Sequence, residues 1–228
     1  MLGLSNAITR ATGTGLQYIK NGLKLYMPYR GHHADEVKFV GTGSTYFVTN
    51  DVVDCGSDST LDTGSSAFSV TAWFYATDGT ESQPIVSKGA SQSGLSADVG
   101  WSVSITSSGV IYFDMNEDSS TTRDATYTAG SVFNLNQWHH VAIVRPSGAT
   151  AGRKIYLDGV DVTNTTANAI SDCDDGSQNF KIGNCQSGRF FDGSIKNVAY
   201  WSRVLTSTEI QNVMYKTYAE VSGRLASG

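Results

Sequence analysis

Trp138-His139-His140-Val141-Ala142-Ile143-Val144-Arg145, with the runs Ile155-Tyr156-Leu157 and Val160-Asp161-Val162 that follow it, decides the fold. The first run is short, β-branched and aromatic, and it stops at Pro146-Ser147-Gly148. That is the composition of a strand with a turn after it. Asp158-Gly159 between the two later runs suits a type I′ hairpin, because both central residues need positive φ and Asp and Gly tolerate it best. The stretch therefore predicts consecutive antiparallel strands.

Upstream the same texture continues. Leu23-Lys24-Leu25-Tyr26-Met27-Pro28-Tyr29 reads as the first strand, closed by Pro28. Val37-Lys38-Phe39-Val40 and Tyr46-Phe47-Val48 flank Gly41-Thr42-Gly43-Ser44. Phe68–Tyr75 alternates: Phe68, Val70, Ala72 and Phe74 share a core face, and Ser69, Thr71, Trp73 and Tyr75 share the other. Trp73 and Tyr75 are either covered or line a concave face. Ile85–Gly89, Trp101–Ile105 and Val110–Phe113 continue the pattern, with Ser107-Ser108-Gly109 as a turn.

Downstream, Phe180–Gly183 and Phe190–Trp201 are the last strands. In the second, Ile195, Val198 and Tyr200 do not strictly alternate, which predicts a bulge or a strand covered on both faces. One helix is expected from Thr206, fading near Tyr218. Thr206-Ser207-Thr208-Glu209 is a capping box, Leu205 and Ile210 hold the staple positions, and Ile210, Val213 and Met214 recur at helical spacing.

Length and composition agree with one large all-β domain. The chain has 228 residues, 39% apolar and 16% charged, with 24 glycines. A net charge of −5 without clustered Lys and Arg argues against a nucleic-acid partner. No run approaches the roughly 20 apolar residues of a membrane span, and the start does not read as a signal peptide. Cys55, Cys173 and Cys185 are too few and odd in number for a disulfide framework, though Cys173 and Cys185 are close enough in sequence to flank a hairpin and pair. Asn164-Thr165-Thr166 is a glycosylation sequon by pattern only, expected to be unmodified without a secretion route.

Residues 1–22 lack strand or helix periodicity. They read either as a frayed terminus or as an arm that orders against a partner, with Leu2, Leu4, Ile8 and Leu16 as apolar anchors. The organisation expected is an arm and first strand over 1–36, a sandwich over 37–218 and a small polar tail over 219–228.

The chemistry is sparser. His32-His33 with Asp35-Glu36 lacks further ligands at a recognisable metal spacing. Asp114-Met115-Asn116-Glu117-Asp118 offers oxygens that suit Ca²⁺, with Asn116, Glu117 and Asp118 as candidate ligands, but its spacing is not that of a calcium loop. A polar exit from a strand is the competing reading. Asp172-Cys173-Asp174-Asp175-Gly176 has the same two readings. No cofactor other than Ca²⁺ is indicated.

Taken in order, Phe68–Trp73, Ile85–Gly89, Trp138–Ala142, Ile155–Gly159, Lys181–Gly183, Phe191–Val198 and Trp201–Ile210 resemble a laminin G-like domain of the concanavalin A-like lectin/glucanase superfamily, over about residues 37–216. The resemblance implies an all-β, two-sheet antiparallel jelly-roll sandwich with a convex and a concave face. Here that sandwich carries one short C-terminal helix and an extended N-terminal arm. The short Leu-Gly-rich start, then Gly22-Leu23-Lys24-Leu25-Tyr26, then this sandwich, is similar in arrangement to virion-associated proteins of tailed phages, particularly marine ones.

Some relatives with this fold hydrolyse glycosides with two carboxylates facing the scissile bond. The glucanases carry them as Glu-x-Asp-x-Glu on one strand, a pattern in which none of Glu36, Glu81, Glu117, Glu209 and Glu220 stands. His139 and His140 lack a nucleophile motif and read as packing residues. The chain is therefore expected not to be an enzyme. The leading expectation is a virion structural or decoration protein, localised to the virion, anchored by its arm to other virion proteins and homo-oligomeric. The alternative is a glycan- or cell-surface-binding module, with Trp101, Tyr112 and Tyr127, and also Trp201, as candidate sugar-stacking rings. A cellular adhesion domain is a third reading, and it requires a secretion route.

Overall fold

The computed structural model describes residues 22–27, 37–39, 52–77, 82–89, 99–116, 123–148, 152–166, 170–173, 175–185 and 189–215. The arm anchors Leu2, Leu4, Ile8 and Leu16, the strand expected at Tyr46–Val48, the paired histidines His32 and His33, and Glu117 and Asp118 lie outside the described residues.

The strands are β1 (Leu23–Met27), β2 (Val37–Phe39), β3 (Val53–Asp54), β4 (Phe68–Ala76), β5 (Gln83–Lys88), β6 (Gly100–Ile105) and β7 (Ile111–Asn116). They continue as β8 (Arg123–Thr128), β9 (Trp138–Arg145), β10 (Lys154–Leu157), β11 (Val160–Asp161), β12 (Thr163–Thr166), β13 (Phe180–Ile182) and β14 (Gly193–Trp201). Helix α1 spans Ser207–Tyr215. Two seven-stranded sheets result. The first runs β1-β14-β4-β9-β10-β11 with β2 also on β14, and the second runs β12-β8-β7-β6-β5-β13-β3. The pairings are antiparallel throughout. This is the all-β sandwich expected.

Alternation explains the packing. Phe68, Val70, Ala72 and Phe74 of β4 face Trp101, Val103 and Ile105 of β6 and Ile111, Phe113 and Met115 of β7 across one core. The expected hairpin is present, with Asp158 at φ 50° and Gly159 at φ 79°. The bulge in β14 falls between Lys196 and Ala199, with Asn197 at φ 52°. It absorbs one residue, so Ile195, Val198 and Tyr200 all reach the core despite their irregular spacing.

Helix α1 packs on the outer face of the first sheet. Leu205 and Ile210 bury against Ala142, Val144, Tyr156, Ala199 and Trp201, with Val213 alongside. Its cap is the predicted one. Glu209 N–H donates to Thr206 Oγ1 at 3.2 Å, and Thr206 N–H donates to Glu209 Oε2 at 2.8 Å. Arg203 adds two bonds to the Glu209 carboxylate, 2.7 and 3.0 Å. Burial pushes the Glu209 pKa up, but the bonds from Arg203 and Thr206 outweigh it and hold it below the usual glutamate value.

The acidic loop after residue 171 is an anchor of the fold. Asp175 accepts from Thr63 N–H, Gly64 N–H and Thr63 Oγ1. Buried Lys88 donates to the carbonyls of Asp175 and Gln178 and pairs with Asp62 at 3.0 Å. Arg145 donates to the carbonyls of Gly64, Ser66 and Ser171. The loops at 62–66 and 171–178 are thereby tied to β5 and β9. Cys173 and Cys185 are not joined in a disulfide, and Cys55 is in none either.

Candidate functional site

The outer face of the second sheet departs from the rule that exposed strand faces are open to water. Along β6 the inward residues are Trp101, Val103 and Ile105, so Ser102 and Ser104 point outward. Along β7 the outward residues are Tyr112, Asp114 and Asn116, and β8 adds Ala125 and Tyr127. Register aligns them in rows. One row runs Pro84, Ser104, Tyr112, Tyr127 from β5 to β8. The next runs Asp54, Lys181, Ser87, Ser102, Asp114, Ala125 from β3 to β8.

Tyr112 and Tyr127 stack, with ring centroids 5.2 Å apart and 27° between planes. Both rings are half-buried. Beside them Ser102, Ser104 and Asp114 are each 0% exposed although they sit on an outer face. Ser87 Oγ donates to the Asn184 carbonyl at 2.8 Å. Among the described residues the hydroxyl oxygens of Ser102 and Ser104 have no hydrogen-bond partner. Each such buried, unmatched hydroxyl costs about 1–3 kcal/mol. A face that holds two of them beside a carboxylate and a tyrosine pair is poor packing and good recognition chemistry. Its hydroxyls and carboxylate match the alternating donors and acceptors of a polyol, and its rings supply an apolar wall.

The sequence candidates divide here. Tyr112 and Tyr127, on the consecutive strands β7 and β8, come together as one pair. Trp101 is corrected. It is 0% exposed and faces the core, 5.0 Å from Phe68, 5.7 Å from Phe180 and 6.4 Å from Tyr200 between ring centroids. Its alternation with Val103 and Ile105 sends it inward, so it stacks on protein and not on a ligand. Trp201 is likewise buried, under α1. Asp114, Met115 and Asn116 are strand residues of β7 and not a loop, because the pairing with β8 continues through Asn116 and Arg123. Asn116 is 3% exposed, and among the described residues no group of three or more His, Cys, Asp or Glu is arranged to hold a metal.

Ser102 and Ser104 are not marked as site residues by the sequence, and Asp114 stands there only within the stretch of oxygens suited to Ca²⁺. The signal lay in Trp101–Ile105 and Ile111–Asn116, where each polar member of a regular alternation shares a face.

The histidines take structural roles. His139 Nδ1 bonds Asp158 Oδ2 at 2.8 Å, and its Nε2 accepts from Asn134 N–H at 3.3 Å, which fixes the proton on Nδ1. The Asp158 carboxylate also accepts from His140 N–H at 2.8 Å. His140 is 1% exposed beside the Trp73 ring, and burial lowers its pKa to about 4, so the ring is neutral at pH 7.

Structural comparison finds several sandwiches of this type. A carbohydrate-binding module, CBM40, of the Ruminococcus gnavus intramolecular trans-sialidase aligns with a TM-score of 0.59 at 15% identity, over 78% of this chain and 95% of that one. The binding domain of Paraclostridial Mosquitocidal Protein 1 aligns with a TM-score of 0.58 at 12% identity, over 84% of this chain and 45% of that one. A leech intramolecular trans-sialidase aligns with a TM-score of 0.54 at 19% identity, over 74% of this chain and 28% of that one. At these identities the likeness is one of fold. No match is found among curated proteins. At the level of family, residues 42–211 match Laminin_G_3, described as the concanavalin A-like lectin/glucanases superfamily, and the chain belongs to that family.

Proposed function

We propose that this chain is a non-enzymatic glycan-binding module that holds a sugar on the outer face of its second sheet. The observation that carries the reading is the stacked, half-buried pair Tyr112 and Tyr127 on the outer face of the second sheet. A sugar lays its apolar ring face on the tyrosines, and the buried Ser102, Ser104 and Asp114 keep the sheet beneath them polar. Family membership and the likeness to a module whose structure was obtained with α2,3-sialyllactose bound support the same reading.

The test is a glycan panel with and without a chelator, on the native chain and on Tyr112→Ala. Binding of a defined glycan set is expected, weakened about tenfold or more by the substitution, as loss of one good contact implies. A silent panel sinks the proposal. A loss of binding on chelation shows that a cation takes part in binding.

The setting we propose is a virion surface, with the arm bound to other virion proteins through Leu2, Leu4, Ile8 and Leu16 and with several copies displayed. One observation favours a division of labour. The chain joins the sandwich through β1, bonded to β14 in the first sheet, whereas the polar face belongs to the second. An anchor leading into β1 and a ligand on the polar face do not compete. The protein is expected in purified particles, and deletion of residues 2–20 is expected to release it. Normal incorporation of the truncated sandwich removes the arm as anchor.

A further inference from the structure

The first sheet has an outer face of its own, and α1 covers only part of it. The helix seats on Ala142, Val144, Ala199 and Trp201. Beyond it, two register rows stay partly open. One is Ser194, Tyr75, Trp138, and the other is Lys196, Trp73, His140, each read across β14, β4 and β9. Trp73, Tyr75, Trp138 and Lys196 are all neither buried nor fully exposed. The Tyr75 and Trp138 ring centroids are 5.7 Å apart. Lys196 Nζ lies 4.0 Å from the centroid of the Trp138 ring and 5.9 Å from that of Trp73. Across β14, β4 and β9 the charged side chain of these rows is Lys196, and Lys38 of β2 stands in register with Ser194.

The platform is built from below. The β14 bulge, with Asn197 in the left-handed region, sets Lys196 outward between the inward Ile195 and Val198. His140 wedges edge-on against Trp73 at 5.4 Å, and its Nδ1 is buried without a partner. Neighbouring side chains on adjacent strands stand about 4.5–5.5 Å apart, so two rings side by side span about the width of one pyranose.

We infer that this platform is a second ligand site, which takes a carboxylated pyranose of the uronic acid class. The sugar's apolar face lies on Trp73 and Tyr75, and its carboxylate pairs with the Lys196 ammonium, already drawn over the rings. Charge complementarity selects this ligand over a neutral sugar, since Lys196 places a positive charge over the rings in a chain of net −5. The inference uses a different sheet from the polar face and does not depend on the proposal made for it.

The experiment is a titration of the intact chain with methyl β-glucuronide and with methyl β-glucoside, followed by saturation-transfer NMR and by tryptophan fluorescence. The variants are Lys196→Gln, Trp73→Leu and, on the opposite face, Tyr112→Ala. Lys196→Gln is expected to weaken the glucuronide about tenfold, the scale of one charge-assisted contact, and to leave the glucoside unchanged. Trp73→Leu is expected to weaken the glucuronide, and Tyr112→Ala to leave it unaltered. Should Trp73→Leu fail to fold, the charge variant decides alone. Glucuronide binding that is absent, or indifferent to Lys196, overturns the inference. Glucuronide binding abolished by Tyr112→Ala also overturns it while leaving the polar face as the binding site.

Discussion

Asp124 and Arg153 form an ion pair whose side chains are both 0% exposed, inside the sandwich beneath β8. Asp124 Oδ2 accepts from Arg153 and from Ile170 N–H at 3.0 Å, and Arg153 donates in turn to the Ile170 carbonyl. Asp124→Asn keeps the shape and removes the charge, so Arg153 is left without its counter-charge in the interior. Breaking a buried pair from one side costs about 3–5 kcal/mol, because the remaining charge has lost its compensation. With a urea m-value of roughly 3 kcal/mol/M at the upper end for single domains, the unfolding midpoint falls by more than about 1 M. The double variant Asp124→Leu with Arg153→Met removes both charges, and the Ile170 backbone groups lose these partners. Its cost is expected to be smaller than that of Asp124→Asn alone. Urea unfolding followed by tryptophan fluorescence measures all three chains. A loss below about 1 kcal/mol for Asp124→Asn, or a double variant worse than the single, refutes the view that an uncompensated charge dominates. The consequence reaches the ligand face, since Asp124 and Tyr127 are opposite sides of the same strand.

Three further outcomes follow from the geometry. His140 has a folded pKa of about 4, below its ordinary 6.5, so the unfolded chain binds the extra proton first, and stability present above pH 6.5 is lost as pH falls toward 4. The loss is about 3 kcal/mol, and His140→Gln is expected to flatten that part of a stability-against-pH curve. Gly193 has φ 141°, and a Cβ there would meet the Tyr75 carbonyl oxygen at 1.8 Å, so Gly193→Ala is expected to prevent the β4–β14 pairing and yield insoluble protein on expression. Burial pushes the Cys173 thiol up to about 12 and the Cys55 thiol to about 11, so iodoacetamide at pH 8 is expected to label neither in the native chain and both in urea, read by mass spectrometry.

What was legible in the sequence was local. The hairpin at Asp158-Gly159, the capping box at Thr206 and the bulge in β14 each rest on residues close in the chain. What was not legible depended on partners far away. Strand β8 escaped notice because its inward residues are Asp124, Thr126 and Thr128, which give no hydrophobic alternation. Its burial is made tolerable by Arg153, which lies across the sandwich. The short β3 and the wholly polar β12 are edge strands, with little apolar pattern of their own to mark them. Trp101 was misplaced by composition, since a tryptophan among serines looks available until alternation is applied to it. The Tyr112–Tyr127 pair required the β7–β8 register, which neither strand encodes by itself.

Both candidate faces share one structural consequence. Each strand that carries ligand chemistry on its outer side carries core on its inner side: Phe113 and Met115 behind Tyr112 and Asp114, Ala72 and Phe74 behind Trp73 and Tyr75. Because successive side chains point to opposite sides, an outward substitution leaves the inward contacts in place. The large core aromatics Phe68, Trp101, Phe113, Phe180 and Tyr200 pack on one another and supply the non-local apolar burial that stability needs. Recognition can therefore diverge on the outer faces without loss of the sandwich. This accounts for a fold shared with sialidase-associated and toxin binding domains at 12–19% identity. It also means that Tyr112→Ala and Lys196→Gln should report on binding and not on folding, which is what makes the two faces separable by experiment.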